Sequence, residues 1–359
     1  MRESLTQQAA LAAAYLARAW PETVEQARAA LGPWRADVRR ILICGCGDSH
    51  CAARGAEYGV GLWSGLPVRA AEAMQAGRYL LDDAGPELLV VGISSSGEVA
   101  RTVEAVETAR RCRARTLAIT ASPESTLAGA ADAEVRLTLP EFPFGPGLVS
   151  YLGAIQACLA VAWSFAPERS AARLAGCLRE LPERVESDRP AQTAAAEAFA
   201  DEVGAEASGV VLGSGPCRGA AEFAAAKVME ACGLYYRAQD VEEWAHLEYF
   251  IESPPMPTWL LSADGRSRSR EMEVEQAALA VGRRLLVTRW AGAEGWSREE
   301  REALAPLALW AGPAAFAQRL MMRRQAVPFR DFGGGRSAAE GGGASRIRSS
   351  ERGGWHSKG

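Results

Sequence analysis

Two glycine turns 168 residues apart, Gly45-Cys46-Gly47 and Gly213-Ser214-Gly215, constrain this chain more than its composition does. The interval recurs. Gly97 returns as Gly265, and Leu117-Ala118-Ile119-Thr120 returns as Leu285-Leu286-Val287-Thr288, at the same spacing and without a gap. Self-similarity at one long period means that one structural unit is built twice. A chain of 359 residues has room for about two domains. The expected organisation is therefore a tandem duplication.

Within the first copy, apolar runs alternate with helical patterns. Strands are expected at Arg40–Cys44, Pro67–Ala70, Leu88–Ile93, Arg115–Thr120 and Ala133–Leu139, with a helix over Cys51–Gly59 after the first. That alternation predicts an α/β fold with a parallel sheet covered on both faces. Residues 1–35 read as a helical lead-in packed on the first unit (36–170). A helical connection (171–205), a second unit (206–325) and a Gly/Arg-rich tail (326–359) follow. The tail reads by default as disordered. A sharper expectation is a lid over an anionic substrate, carried by Arg336, Arg346 and Arg348.

Gly92-Ile93-Ser94-Ser95-Ser96-Gly97-Glu98 lies between a strand and the helical pattern Val99–Val106. Serine hydroxyls, backbone N–H groups without helical partners and the positive end of a helix dipole converge there. A phosphate dianion is held by such a loop without any lysine. The same pattern also suits a plain serine turn capping a helix. In the second copy the three serines become Ser262-Ala263-Asp264. A carboxylate at Asp264 would repel a dianion, so that copy is expected to have lost anion binding.

Lys227 and Glu230 stand one helical turn apart on a helix, from about 219 to 232, that is otherwise alanine, valine and methionine. A charge pair on a buried face is costly unless it is paired or functional. A structural i,i+3 ion pair and an acid/base site both fit. A glutamate in an apolar wall has a raised pKa, which suits a base that removes a proton α to a carbonyl. His246, one of three histidines with His50 and His356, lies among carboxylates that favour its protonated form, or is simply a surface residue. His50 follows the first glycine turn and stays unassigned.

Composition bounds the rest. Hydrophobic residues make up 48% and charged residues 23%, which is enough apolar material for sizeable cores. The net charge of −4, with no basic stripe before the C-terminus, argues against nucleic acid. The N-terminus does not read as a signal peptide. The apolar run Tyr151–Phe165 is interrupted by Gln156 and is too short for a bilayer, so no membrane partner is expected. Eight cysteines without a CxxC pair read as free thiols in a reducing cytoplasm.

The duplicated unit, the serine loop and the opening Gly45-Cys46-Gly47-Asp48-Ser49 resemble the sugar isomerase (SIS) domain. Tandem proteins of that kind include the isomerase half of glucosamine-6-phosphate synthase and stand-alone phosphosugar isomerases, deaminases and deglycases. The resemblance covers about residues 35 to 330. It implies phosphate contacts from Ser49, from Ser94, Ser95 and Ser96, and from Ser150. A family threonine just after the loop is Val99 here, so one contact is missing or moves to Thr102. The resemblance further implies that Lys227 and Glu230 are catalytic, with Glu230 shuttling a proton between C1 and C2. The family's ring-opening histidine, sixteen residues after the glutamate, falls on His246. In the family it reaches the other subunit, which implies a homodimer.

There are departures. His246 precedes Leu247-Glu248 in place of Gly-Pro, and the family's C-terminal Ala-Lys has no counterpart. No nucleophilic cysteine opens the chain, so ammonia delivery from glutamine is not expected of it.

The expected fold is thus α/β: two tandem SIS-type units, each a parallel sheet flanked by helices in a flavodoxin-like three-layer sandwich. The expected activity is aldose–ketose isomerisation of a hexose or hexosamine 6-phosphate. Coupling to deamination or deglycation stays open. No metal or redox cofactor is implied, because enediol chemistry needs a base and polarising donors. A non-catalytic sugar-phosphate sensor is the rival. The Lys227/Glu230/His246 set speaks against it, as does the lack of room for a helix-turn-helix in the first 35 residues. A dinucleotide site is weaker still: GxGxxG would need glycine at His50, and no acid is read at the end of the second strand.

Overall fold

The computed structural model describes residues 3–204, 208–252, 255–331 and 352. They divide into two compact units. One comprises Tyr15–Pro140 and Ser150–Gly176 with Arg352; the other comprises residues 3–14, Glu141–Val149 and Cys177–Asp331. The lead-in is helix α1 (Ser4–Leu31) with a 3-10 turn at Gly32–Trp34, and its first residues belong to the second of these units.

The first unit holds β1 (Arg40–Gly45), α2 (Asp48–Ser64), β2 (Val68–Glu72), α3 (Ala73–Tyr79), β3 (Leu88–Ile93), α4 (Ala100–Arg111), β4 (Arg115–Thr120), α5 (Thr126–Ala130) and β5 (Ala133–Arg136). The five strands are parallel in the order β2-β1-β3-β4-β5. Every residue of the central β3 is buried, which is why its sequence is one apolar run without alternation. Leu42 and Cys44 of β1 and Leu88 and Val90 of β3 form a core with Ala76 of α3 and Ala105 and Ala109 of α4. The alternate residues Ile41, Ile43, Leu89 and Val91 are equally buried on the opposite face.

Helix α6 (Val149–Phe165) is the apolar helix expected there. Its one internal amide, Gln156, donates to Leu16 O at 2.8 Å, which satisfies a polar group that would otherwise be stranded. Helix α7 (Glu168–Val203) follows. Among the described residues no helix is long and apolar enough to cross a membrane.

The other unit holds β6 (Gly209–Leu212), α8 (Pro216–Cys232), β7 (Tyr236–Gln239), α9 (Val241–His246), β8 (Pro257–Ser262), α10 (Arg268–Ala280), β9 (Arg284–Arg289), α11 (Arg298–Leu304) and α12 (Ala311–Arg323). Its four parallel strands run β7-β6-β8-β9, the same order as β2-β1-β3-β4. Phe316 of α12 is the hub of its core, with ring centroids 5.3 Å from Trp259, 5.6 Å from Tyr236 and 5.8 Å from Phe199.

The registers match in detail. Ile41 pairs with Val68 and Gly209 with Tyr236; Leu42 pairs with Val90 and Val210 with Thr258. All four positions are related by 168. The fourth strand is not. Val90 pairs with Thr116, but Thr258 pairs with Leu285, an interval of 169. Leu117 therefore corresponds to Leu286, one residue later than the sequence alignment placed it. The extra residue falls in α10, which has 13 residues against 12 in α4.

Candidate functional site

In the order β2-β1-β3-β4-β5 the chain reverses direction across the sheet between β1 and β3. A crevice opens beyond the carboxyl ends of the strands at such a point. The glycine turn leaves β1 there and the serine loop leaves β3. They approach closely: a Cβ on Gly45 would lie 2.7 Å from Ser49 Cβ and 3.1 Å from Ile93 O. Only glycine lets Ser49 and the root of the serine loop come together.

The three serines differ in role. Ser94 is buried; its N–H donates to Ile119 O at 3.0 Å, and its Oγ accepts from Gly97 N–H at 3.1 Å. Ser95 is half-buried, and its carbonyl accepts from Ala121 N–H at 3.0 Å. Ser96 is exposed, with Oγ accepting from Glu98 N–H at 3.3 Å. Gly97 has φ 70°, and a Cβ there would stand 2.0 Å from Ser125 Oγ. The loop's own acid turns away. Glu98 accepts from Thr126 N–H at 2.9 Å and Thr126 Oγ1 at 2.6 Å, and these bonds hold its carboxyl below the usual range.

Thr102 is completely buried, and its hydroxyl points to Cys46 Sγ at 3.9 Å, beneath the glycine turn. Burial pushes the Cys46 thiol up, while the Thr102 bond and the nearby Arg101 charge pull it down. Ser150 is the second residue of α6, and the start of that helix is set by a residue the sequence reading passed over. Gln8 Oε1 accepts from Leu148 and Val149 N–H at 2.7 and 3.1 Å, and its Nε2 donates to Pro146 O at 2.8 Å. No local pattern marks a cap 140 residues away in sequence.

His50 Nε2 lies 3.5 Å from Glu72 Oε1. Strand β2 runs on to Glu72, so the acid read as absent from its end is present. The dinucleotide fingerprint still lacks its third glycine, at His50.

In the other unit, α8 is buried over most of its surface. Lys227 is 0% exposed; its Nζ lies 2.5 Å from Glu230 Oε2 and 5.1 Å from the Phe223 ring centroid. Glu230 keeps 26% of its side chain exposed. A buried ammonium thus braces a carboxylate that solvent still reaches. His246 closes the separate helix α9. It is 64% exposed, with Nε2 2.9 Å from Glu242 Oε1. That bond and Arg270 hold the Glu242 carboxyl down. The structure joins Lys227 to Glu230 and places His246 on a different element.

The loop after β8 is filled from within. Glu302 Oε1 accepts from Arg266 N–H at 2.6 Å and Oε2 from Arg266 Nε at 2.8 Å. A Cβ on Gly265 would lie 2.2 Å from Glu302 Oε1. Asp264, expected to be the blocking carboxylate, instead pairs with Arg268 Nε at 2.9 Å. Arg336, Arg346 and Arg348, invoked for a lid, lie outside the described residues.

Comparison with known proteins bears out the resemblance. The family model of the SIS domain matches residues 36–166. An isomerizing glutamine–fructose-6-phosphate aminotransferase of Nostoc sp. (strain PCC 9229) is 25% identical over 265 residues, 70% of this chain and 42% of the relative. The chain thus spans less than half the length of that relative. The C-terminal domain of glucosamine-fructose-6-phosphate aminotransferase from Francisella tularensis superposes with a TM-score of 0.77 at 16% identity, covering 90% of this chain and 97% of that one. Tagatose-6-phosphate ketose/aldose isomerase from Escherichia coli gives 0.69 at 17%, covering 91% and 94%. Both share with this chain the fold of two helix-flanked parallel sheets, and the match to the SIS domain model spans residues 36–166.

Proposed function

We propose that the protein is a phosphosugar isomerase: it binds a hexose or hexosamine 6-phosphate and moves a proton between C1 and C2. The observation that carries the reading is the Lys227–Glu230 pair. A general base needs a carboxylate that substrate can reach and a fixed orientation. Glu230 is partly open, and its Oε2 is held at 2.5 Å by a fully buried lysine. The similarity to isomerizing aminotransferases and to a ketose/aldose isomerase supports the same chemistry.

Glu230 takes the C–H proton α to the carbonyl of the open-chain sugar. The electron pair of that bond becomes the C1–C2 double bond while the carbonyl π pair moves onto oxygen, giving an enediolate. The hydroxyl proton passes to that oxygen, and the double bond then takes the proton back from Glu230 at the former carbonyl carbon as the other oxygen becomes the new carbonyl. Lys227 keeps Glu230 in place, and His246 is the ring-opening acid/base. Phosphate binding is assigned to Ser49, Ser95, Ser96 and Ser150, with Ser94 closing the loop from inside. Thr102 supports the glycine turn through Cys46. A homodimer in which His246 serves the other copy is the assembly proposed with this mechanism. Loss of nitrogen from an amino sugar would follow the same proton transfer.

The test is solvent exchange. The protein is incubated in D2O with glucose, fructose, glucosamine and tagatose 6-phosphates, and deuterium at C1 or C2 is read by proton NMR. Exchange with one sugar, lost in Glu230→Gln, is the expected result. A sugar phosphate that binds without exchange would leave a sensor and overturn the enzymatic reading.

A further inference from the structure

The first sheet has a second concavity, at the opposite end from the glycine turn and the serine loop. It is an open cavity of about 350 Å³ at the amino ends of β1, β2 and β3. That volume suits a small organic ligand. Buried Ile41, Leu42 and Leu88 supply an apolar lining. Tyr79, which ends α3, stands on the rim with its side chain exposed.

Four charges line the cavity, two of each sign, so its formal charge is zero. Half of them are answered within the chain: Arg40 donates to Asp83 Oδ2 at 2.8 Å and to Asp83 O at 2.6 Å. The other two, Arg69 and Asp82, make no ion pair and no side-chain hydrogen bond with each other or with any other described residue. A cation and an anion thus border one apolar hollow without meeting. The second unit is the contrast. Arg69 pairs in register with Leu42, and Arg237 with Val210, the same place one repeat later. There the arginine meets an internal carboxylate, Glu248, at 3.3 Å.

We propose that this cavity binds a hydrophobic α-amino acid. Arg69 takes the carboxylate through its planar fork, and Asp82 takes the ammonium. The side chain covers Leu42 and Leu88 beneath the Tyr79 ring. A simple acid or a simple amine would answer only one of the two charges; a zwitterion answers both and keeps the cavity neutral. The inference shares no residue with the sugar-phosphate reading and does not depend on it.

The test is calorimetry on the full chain at neutral pH with L-leucine and L-phenylalanine. Each is compared with its two analogues, one lacking the ammonium and one lacking the carboxylate. At least one amino acid should bind, and each of its analogues should bind about tenfold or more weakly, the worth of a charge-assisted hydrogen bond. Arg69→Gln should weaken the amino acid by a similar factor and leave the analogue without a carboxylate unchanged. Asp82→Asn should do the reverse, leaving the analogue without an ammonium unchanged. Both side chains are exposed, so neither change disturbs packing. Binding of neither amino acid, equal affinity for the amino acid and its analogues, or wild-type affinity in both variants would overturn the proposal.

Discussion

Replacing Glu230 by alanine removes the carboxylate that Lys227 Nζ reaches at 2.5 Å. Lys227 is fully buried within α8, so the ammonium cannot turn to water for compensation. Removing one partner of a buried ion pair costs about 3–5 kcal/mol. Lys227→Met is the opposite case. It keeps the volume, removes the buried charge and leaves Glu230, 26% exposed, to recover hydration. Its cost should be about 1 kcal/mol or less. The difference of about 3 kcal/mol is roughly a hundredfold in the folding constant.

Urea unfolding followed by tryptophan emission measures it, because Trp244, Trp259, Trp290 and Trp310 are all fully buried in the same unit. Equal losses in the two variants, or a larger loss in Lys227→Met, would refute the argument. Lys227 would then be held by net attraction to Glu230, and the desolvation of the buried ammonium would not be the governing cost. Both variants should lose solvent exchange, so the stability difference and the catalytic loss are read independently.

Gly97→Ala should destabilise the first unit by about 2–5 kcal/mol, from the left-handed backbone and the overlap with Ser125 together. A melting temperature equal to wild type would contradict the 2.0 Å approach to Ser125 Oγ. Asp201 accepts from Arg319 and Arg323 at 2.8 Å, which lowers its pKa from 3.8 to about 2. A depressed folded-state pKa stabilises fully above about pH 4 and is lost as pH falls through about 2. Asp201→Asn should therefore be less stable than wild type at neutral pH, and the gap should close between pH 4 and 2. All three groups are exposed, so added salt should shrink the gap as well.

Much of the fold was legible because parallel sheets write themselves as apolar runs. Leu88–Ile93 and Arg115–Thr120 were read with the bounds that the structure shows. The glycine turns were legible because close approach and positive φ admit few other residues. The register of the fourth strand was not. Leu117-Ala118-Ile119 and Leu285-Leu286-Val287 are both unbroken apolar runs, so a one-residue slip changes no polarity, and Leu117 set against Leu285 read as well as Leu117 set against Leu286. The end of β2 was missed because Arg69 and Glu72 break the apolar pattern at a sheet edge.

The candidate site divides in the same way. Sequence alone determined which residue types stand where: three serines between a strand and a helix, a lysine and a glutamate one turn apart, and a glycine turn ahead of Ser49. Those are local facts, governed by backbone geometry and helical spacing. Only the tertiary structure decided what each group faces. It put Thr102 under Cys46, turned Glu98 toward Thr126, seated Glu302 in the loop after β8 and gathered Arg78, Glu104 and Arg101 into one charged cluster. The reason is physical. A buried polar or charged group must find a partner wherever the fold offers one, and such partners lie tens of residues away, where no local pattern records them.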